Sequence, residues 1–464
     1  NNLVAPEECG KVSPQRLLRT LLSCKKVSIA SPKLLSAKVK TLYQTSILPN
    51  GITVASASMP QMASVCLGIW AKTGSRYESL PDQNGVSHFI EHLLFKGTPT
   101  RSALKISEDI EGIGGTSNAF TAEENTCYFA RSRGAHLEQL MDVQMDMYCH
   151  SVFNPEEIRK EREIICEEID MIYDQPSQYV QELLNTLQWR DHPLGRPITG
   201  TEKGLQKIHR KNILQYFQQH YVANNTWIIA AGNVSHEKLV RLARKYSKHI
   251  PTGPLNQYIP FVSQQKEAQV LCVERDVDQT QFALGIRTFA RFHPSRYALR
   301  MINTLVGENS SSHLFQVIRE DEGLAYSIGS STSAFYDIGD LVISAGVDEN
   351  KVEKTVKIIL KELNRLAERP QCKEKLKHAQ DYIIGQLELS LESTENQMIW
   401  LGEQLLSGGR FASPETIKRG ICKTTAEEIQ KILQQILSPE RYNMTIVGPH
   451  QNSDSLKNIL QKSA

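Results

Sequence analysis

The two halves of the chain resemble each other, and this duplication constrains the fold more than any other feature of the sequence. An apolar run at Asn225–Gly232 follows a helical stretch and ends at glycine, and Arg441–Gly448 repeats that pattern 216 residues later. The helical segment at 137–150 has a counterpart at 352–368. Solenoid repeats have periods of about 20–50 residues, so a repeat of about two hundred residues indicates two homologous domains.

The alternation of strand-like and helical segments from residue 41 onward indicates the fold class. The strand-like segments are rich in β-branched and apolar residues, whereas the helical segments carry apolar residues at helical spacing. We expect an α+β protein with two homologous α/β-sandwich domains, each packing helices on a mixed sheet. Composition predicts a basic, poorly ordered tail at 1–40, a first domain at 41–249, a linker rich in turn formers at 250–265 and a second domain at 266–464.

Charge and hydropathy argue against two classes of protein. The chain carries 53 lysines and arginines against 51 aspartates and glutamates, a net charge of +2, whereas nucleic-acid-binding chains are usually far more basic. Residues 41–71 contain no charged side chain and are long enough to span a bilayer. Pro49, Gly51 and Pro60 interrupt this run, so it predicts three strands rather than a transmembrane segment.

The cysteines and the N-terminal basic residues bear on the cellular compartment. Nine cysteines, an odd number without a C-x-x-C pair, are typical of free thiols in a reducing environment. Residues 9–40 carry eight lysines and arginines and no acid, which fits either an organellar transit segment or a basic tail. We expect a cytoplasmic protein, with the mitochondrial matrix as the alternative.

The run His88-Phe-Ile-Glu91-His92 carries the strongest chemical signal in the sequence. In a helix, His88 and His92 stand one turn apart on the same face, where two imidazoles can bind one zinc ion. Glu91 then lies beside the metal and can take a proton from a water that the zinc activates. The order H-x-x-E-H is inverted relative to H-E-x-x-H, as it is in the inverzincins.

A catalytic zinc ion needs a third protein ligand, and the acidic helix after residue 155 offers candidates. Glu161 and Glu168 are seven residues apart, so they share one face of that helix. Charge alone does not distinguish Glu168 from its acidic neighbours, and a solvated acidic helix is the plain alternative.

The H-x-x-E-H motif, followed about 76 residues later by the second glutamate of an E-R-x-x-x-x-x-E helix, is similar to the pitrilysin-like zinc metallopeptidases. The branch that the chain resembles, over nearly all of residues 41–450, comprises the mitochondrial processing peptidase β subunit and its bacterial homologues. The resemblance implies three zinc ligands for one Zn²⁺ per chain, a general base, and a glutamate that steadies a ligand histidine. These are His88, His92 and Glu168, then Glu91, and then Glu161.

Two further segments resemble the substrate-binding parts of that family. The segment 114–121 resembles its edge strand, to which a substrate peptide adds as an extra strand through main-chain hydrogen bonds. The segment 319–326 resembles its R-x-x-x-G-L-A-Y sequence, which implies that Arg319 and Tyr326 bind the substrate carbonyl or its oxyanion. The residues implied at the edge strand are Gly115, Asn118, Ala119, Phe120 and Thr121.

The repeat predicts how the second half differs from the first. Sliding the motif helix by 210 residues, with Gly97 placed on Gly307, puts His88, Glu91 and His92 onto three apolar residues. We therefore expect the second copy to pack the same helix without a metal. Those apolar residues are Ala298, Met301 and Ile302.

The assembly and the activity follow from the resemblance. The processing peptidase pairs with a subunit that carries a glycine-rich loop, whereas the corresponding stretch here, 307–313, is poor in glycine. Because one chain carries both the zinc set and the Arg/Tyr set, we expect a homodimer, with a heterodimer of related subunits as the alternative. The activity implied is zinc-dependent endopeptidase cleavage of unfolded peptides or presequences in a closed chamber. The alternative is a non-catalytic structural or assembly subunit of the same fold.

Overall fold

The computed structural model describes most of the 464-residue chain: residues 42–79, 81–406, 408, 411–449 and 452–462. The basic tail predicted at 1–40 lies outside the described residues. The chain from Leu42 to its end clusters as one unit. Within the described part of the chain, no helix is both long enough and apolar enough to cross a membrane.

The strands of the described residues form two mixed sheets, and the helices pack on their faces. The strands are β1 Tyr43–Ile47, β2 Thr53–Ser58, β3 Ser64–Ala71, β4 Thr116–Thr121, β5 Thr126–Arg133, β6 Thr226–Gly232, β7 Gln269–Glu274, β8 Thr280–Thr288, β9 Ala325–Ala334, β10 Gly339–Val347 and β11 Tyr442–Gly448.

The α-helices range from four to twenty residues in length, and a π-helix at Phe315–Asp321 precedes β9. The α-helices are α1 Val86–Leu94, α2 Ala103–Glu111, α3 Leu137–His150, α4 Pro155–Asp174, α5 Pro176–Gln188, α6 Glu202–Leu205, α7 Arg210–His220, α8 His236–Tyr246, α9 Arg296–Val306, α10 Val352–Glu368, α11 Lys373–Ser390, α12 Thr394–Leu406, α13 Pro414–Lys423, α14 Ala426–Ile436 and α15 Ser453–Gln461.

The connectivity of the two sheets confirms the duplicated α+β fold. The first sheet has the strand order β1-β2-β6-β3-β5-β4, and the second has the order β7-β11-β8-β10-β9. In each sheet one pair is parallel, β2 with β6 and β7 with β11, and the other neighbours are antiparallel. Without the edge strand β1 the two orders are the same. The duplication inferred from β6 and β11 therefore extends to the whole of each sheet.

Several elements lie where the sequence predicts them. The three strands expected within 41–71 are β1, β2 and β3, and the helices expected at 137–150 and 352–368 are α3 and α10. Residues 251–266 form neither helix nor strand. The domain boundaries themselves stay predictions.

Each half covers one face of the other half's sheet. Helix α12 of the second half packs on the first sheet, where Met398 and Leu401 join a buried cluster with Trp70 and Ile229. Helix α5 of the first half packs in the same way on the second sheet, where its Leu184 lies among buried strand residues. Because each sheet needs a helix from the other half to bury its second face, the two halves are interlocked.

The tripeptide Leu-Gly-Ile marks both docking points of these exchanged helices. Gly68 in β3 faces α12, and a Cβ atom there would lie 2.4 Å from the sulfur of Met398. Gly285 in β8 faces α5, and a Cβ atom there would lie 2.2 Å from the side-chain oxygen of Gln188. A glycine at each point lets the helix approach the strand closely.

Candidate metal centre

Helix α1 is fixed at its start by a buried carboxylate and along its length by an apolar face. The side chain of Glu78 accepts hydrogen bonds from the backbone N–H groups of Gly85 and Ser87, both at 2.9 Å. Negative charge at a helix N-terminus is favourable because the first N–H groups there lack partners in the helix. The core face of α1 consists of Val86, Phe89, Ile90, Leu93 and Leu94.

This packing places His88 and His92 on the face of α1 that meets α4, where Glu168 joins them. The Nε2 atoms of His88 and His92 each lie 3.7 Å from Oε2 of Glu168, and the ring centroids of the two histidines are 4.6 Å apart. One possible ligand atom from each residue lies within 4.8 Å of the other two. Tetrahedral zinc with bonds of about 2.0–2.2 Å separates its ligand atoms by about 3.4 Å, so the three residues fit this ion.

The protonation of the two histidines suits metal binding. Burial, together with the neighbouring His92, lowers the pKa of His88 to about 4, so His88 is neutral and keeps a lone pair. The Nδ1 atom of His92 lies 3.1 Å from Oε2 of Glu161, which fixes Nδ1 as the N–H donor and leaves Nε2 for a metal. The carboxylate of Glu161 is itself buried, only 3% exposed, and pairs with the ammonium of Lys96 at 2.7 Å.

Glu91 connects this group to the edge of the first sheet. The hydroxyl of Thr121 donates a hydrogen bond to Oε2 of Glu91 at 2.5 Å. Burial raises the pKa of the Glu91 carboxyl, although the bond from Thr121 and the nearby His92 lower it in part. The carboxylate therefore lies between the histidines of α1 and the last residue of β4.

Strand β4 ends the first sheet and pairs with β5 on its other side. Within this strand Asn118 is exposed and its side-chain oxygen accepts the N–H of Ala119 at 2.8 Å, while Phe120 and Thr121 are half-buried. Gly115 lies just before the strand and donates its N–H to the carbonyl of Ile110. The resemblance implies an edge strand at 114–121, and in the structure residues 116–121 of that segment form the edge strand β4.

Arg319 and Tyr326 lie in the second half of the chain. Arg319 belongs to the π-helix and its guanidinium stacks on Phe315, 4.8 Å from the ring centroid. Tyr326 is in the edge strand β9 and is 75% exposed. In the described residues, no hydrogen bond or ion pair joins either side chain to His88, His92 or Glu168. π-Helical turns are frequent at functional sites.

The second half corrects the alignment on which the metal-free copy was predicted. Helices α1 and α9 end at Leu94 and Val306, and their buried faces coincide at an offset of 212 rather than 210. Gly97 has φ +116°, whereas Gly307 has φ −158°, so these two glycines are not equivalent. The offset of 210 is therefore wrong. The residues Ala298, Met301 and Ile302 take the core places of Val86, Phe89 and Ile90.

The true counterparts of His88, Glu91 and His92 are polar: Arg300, Asn303 and Thr304. All three contact one carboxylate, that of Glu308. Arg300 forms an ion pair with it, and the hydroxyl of Thr304 donates to it at 2.7 Å. Among the residues that the structure describes, the group of possible metal ligands that forms is the one in the first half.

Sequence reasoning missed Glu78 and Lys96. Glu78 precedes the motif by ten residues, and Lys96 follows it by four. Both act through carboxylate contacts that depend on how α1 packs, and neither belongs to a motif with a recognisable spacing. The one available signal was that Glu78 is an acid shortly before a predicted helix, which is a common capping arrangement.

Comparisons with known proteins agree with this geometry. A family model described as insulinase, peptidase family M16, matches residues 53–202, and one described as peptidase M16 inactive domain matches residues 207–382. The chain is 33% identical over 406 residues to the uncharacterized zinc protease YmxG of Bacillus subtilis, covering 88% of this chain and 98% of that protein. It is 35% identical over 408 residues to the uncharacterized zinc protease SCO5738 of Streptomyces coelicolor, covering 87% of this chain and 88% of that protein.

A solved structure shares the fold. The crystal structure of a protease from Helicobacter pylori superposes with a TM-score of 0.83 at 20% identity. The match covers 88% of this chain and 99% of that one. Both sheets and the helices between them therefore have counterparts in a structure of low sequence identity.

Proposed function

The chain belongs to peptidase family M16, and from this membership we propose that it is a zinc-dependent endopeptidase. The observation that carries the proposal is the convergence of His88, His92 and Glu168 beside Glu91, which the edge strand holds through Thr121. The relatives named zinc protease support the same metal.

The residues of the centre have separate tasks in this proposal. His88, His92 and Glu168 hold the ion, which when bound supplies a Lewis acid that polarises the scissile carbonyl and acidifies water. Glu91 takes the proton of the attacking water and delivers it to the leaving amine. Its raised pKa suits this role, because a more basic carboxylate takes a proton from water more readily.

The substrate is an extended peptide that adds to the edge of β4. The segment of Gly115, Asn118, Ala119, Phe120 and Thr121 receives it, and the backbone groups there that face away from β5 hold it in register, largely independent of its side chains. This mode suits unfolded peptides or presequences, because a folded protein cannot present such a strand in a closed chamber.

Arg319 and Tyr326 complete the chamber from a second copy of the chain. No ion pair or hydrogen bond of the described residues joins them to the zinc ligands of their own chain, and the exposed phenol of Tyr326 is available to another surface. In the partner's site they bind the substrate carbonyl or its oxyanion. A homodimer with one zinc ion per chain follows, and a related subunit could supply the same residues in a heterodimer.

The test measures metal content and cleavage of a quenched fluorescent peptide on the same purified peak. We expect zinc in the wild-type chain and cleavage that a chelator abolishes. Glu91→Gln should keep its zinc and lose about 10²–10⁴-fold in kcat, the usual contribution of a general base. Glu167→Gln, an exposed acid next to a ligand, serves as the matched control and should cleave normally.

Other outcomes separate the alternatives. Cleavage retained in Glu91→Gln contradicts the mechanism. A zinc-bearing but inactive wild-type chain indicates that a partner subunit is missing. A chain that neither holds zinc nor cleaves is a structural or assembly subunit.

A further inference from the structure

The cleft between α9 and α11 is the counterpart, in the second half, of the cleft that holds the metal centre. Helices α4 and α5 begin at Pro155 and Pro176, and helices α11 and α12 begin 218 residues later in each case. Each long helix packs on the motif helix of its own half, α4 on α1 and α11 on α9. Helices α9 and α11 are therefore the counterparts, in the second half, of helices α1 and α4 in the first.

The second cleft carries hydrogen-bond donors where the first cleft carries possible metal ligands. At the offsets given above, His88 corresponds to Arg300 and Glu168 to Gln386. A guanidinium and an amide thus replace an imidazole and a carboxylate that offer lone pairs to a cation. Guanidinium N–H groups are instead donors suited to a carboxylate.

The cleft is an open cavity rather than a filled core. Its volume is about 600 Å³, within the range of small-molecule sites. Apolar side chains form much of its wall, including Phe292, Leu387 and Ile417. Three arginines and one carboxylate also line it: Arg291, Arg296, Arg300 and Glu308. The amides of Gln386 and Gln404 also face it. The walls therefore offer apolar contact, hydrogen bonding and positive charge together.

Among the described residues, Arg296 is the arginine of this cavity for which no carboxylate partner is found. Arg300 pairs with Glu308, and Arg291 pairs with Glu124 at 3.1 Å. Arg296 instead stacks on Tyr297 at 4.3 Å, and its guanidinium donates to the Tyr297 hydroxyl and to the carbonyl of His293. In the described part of the chain no carboxylate forms an ion pair with it, so its charge is available to a ligand.

From this arrangement we propose that the α9–α11 cleft binds a carboxylate joined to an apolar group, namely the C-terminal residue of a short peptide. Arg296 holds the carboxylate, and the wall around Leu387 and Ile417 takes the apolar side chain. Gln386 and Gln404 bond the last peptide group, which a fatty acid lacks. The binding needs neither zinc nor cleavage, so it stands or fails separately from the proposed activity.

The experiment is calorimetric titration of the chelator-stripped chain with an acetylated tripeptide of apolar residues ending in leucine. We expect the free acid to bind and its C-terminal amide to bind at least about tenfold more weakly, because the charged hydrogen bond is lost. Arg296→Gln should weaken binding of the free-acid peptide by a similar factor. Arg369→Gln, an exposed arginine of the same half outside the cavity, should change nothing.

One further variant tests where the peptide binds, and one further ligand tests which chemical class binds. Ala412→Trp adds a large ring at the cavity wall and should abolish binding, with thermal unfolding confirming that the variant folds. Decanoate tests whether a fatty acid is the better ligand. The proposal is overturned if no binding occurs up to millimolar peptide, or if the acid and the amide bind equally. It is also overturned if Arg296→Gln or a folded Ala412→Trp binds the peptide as the wild type does. Binding of decanoate without binding of the peptide would overturn it as well.

Discussion

Glu161 shows how a single buried carboxylate orients a proposed metal ligand, His92. Its Oε2 atom faces Nδ1 of His92, and its other oxygen is held by Lys96. Carboxylates in this position typically contribute 10–100-fold to metal affinity. We therefore expect Glu161→Gln to weaken zinc binding by about that factor, measured by competition with a chromogenic chelator. The exposed neighbour Glu163 is the control, and an unchanged zinc affinity in Glu161→Gln would show that its carboxylate does not orient His92.

Glu78 makes the start of the motif helix sensitive to pH. Burial raises the pKa of its carboxyl to about 7, although the hydrogen bonds from Ser87 and Gly85 pull it down. An acid whose pKa is higher in the folded chain binds its proton more tightly there, so ionisation costs stability as pH rises from about 4 to 7. Glu78→Gln cannot ionise. We expect the wild type, without metal, to lose up to a few kcal/mol relative to this variant over that window, at about 1.4 kcal/mol per pKa unit.

Urea unfolding of both metal-free chains at several pH values measures this difference directly. A constant difference between wild type and Glu78→Gln across the window would mean that Glu78 has the same pKa folded and unfolded. The comparison cancels the other titrating groups, because the two chains share them.

At the scale of residues, a sequence reveals chemistry that depends on local spacing and conceals chemistry that depends on packing. His88, Glu91 and His92 form a pattern because one helix turn joins them. Glu78 and Lys96 belong to no pattern, since their partners are reached only after α1 has docked. The 210-residue alignment went wrong for a related reason: it matched two glycines by type, although only Gly97 has positive φ.

At the scale of elements, the exchanged helix α12 depends on a glycine that has no room for a side chain. A Cβ atom on Gly402 would lie 2.4 Å from the buried ring of Trp70, which cannot move aside easily. Gly402→Ala should therefore cost about 1–3 kcal/mol of unfolding free energy, the usual range for overpacking. Gly385→Ala in α11 is the matched control: no atom lies within 4 Å of its Cβ position. That change should stabilise by up to about 1 kcal/mol, because alanine favours helix.

Denaturant unfolding of the two alanine variants tests the contrast between them. If Gly402→Ala is as stable as Gly385→Ala, then α12 does not press on Trp70 as closely as the structure shows.

The sequence reveals those strands and helices whose pattern of apolar residues matches their burial in the fold. Buried runs such as β6 and β11 read as strands because both faces are covered. The edge strand β9 escaped prediction because serine, glycine and threonine fill most of it, and β-propensity depends on the surface that a strand packs against. Amphipathic patterns likewise identified helical segments, but an apolar face on a helix does not predict which sheet the helix will pack on. The exchange of α5 and α12 could therefore not be foreseen.

At the scale of the whole molecule, the exchange makes the two halves one folding unit. Without α12, the face of the first sheet around Trp70 and Ile229 would be exposed to water, and the second sheet has the same need of α5. This interlocking ties the half with His88, His92 and Glu168 to the half that carries Arg319 and Tyr326. In the described residues no hydrogen bond or ion pair joins Arg319 or Tyr326 to the group of possible metal ligands, and we propose that the two sets meet between chains.

Pairing two inactive chains tests whether those half-sites meet between copies. Chains with Glu91→Gln and with Tyr326→Phe are co-expressed under different affinity tags, and dimers are isolated through both tags in turn. If Tyr326 acts on the partner's zinc centre, each mixed dimer contains one intact site, because intact Glu91 and intact Tyr326 then face each other across the interface. By the symmetry of the dimer we expect about half the wild-type rate of peptide cleavage. Each variant alone should stay nearly inactive. If Tyr326 serves its own chain instead, no site in the mixed dimer is intact and the activity does not return. If no doubly tagged dimer can be isolated, the chain does not form the homodimer on which the closed chamber depends.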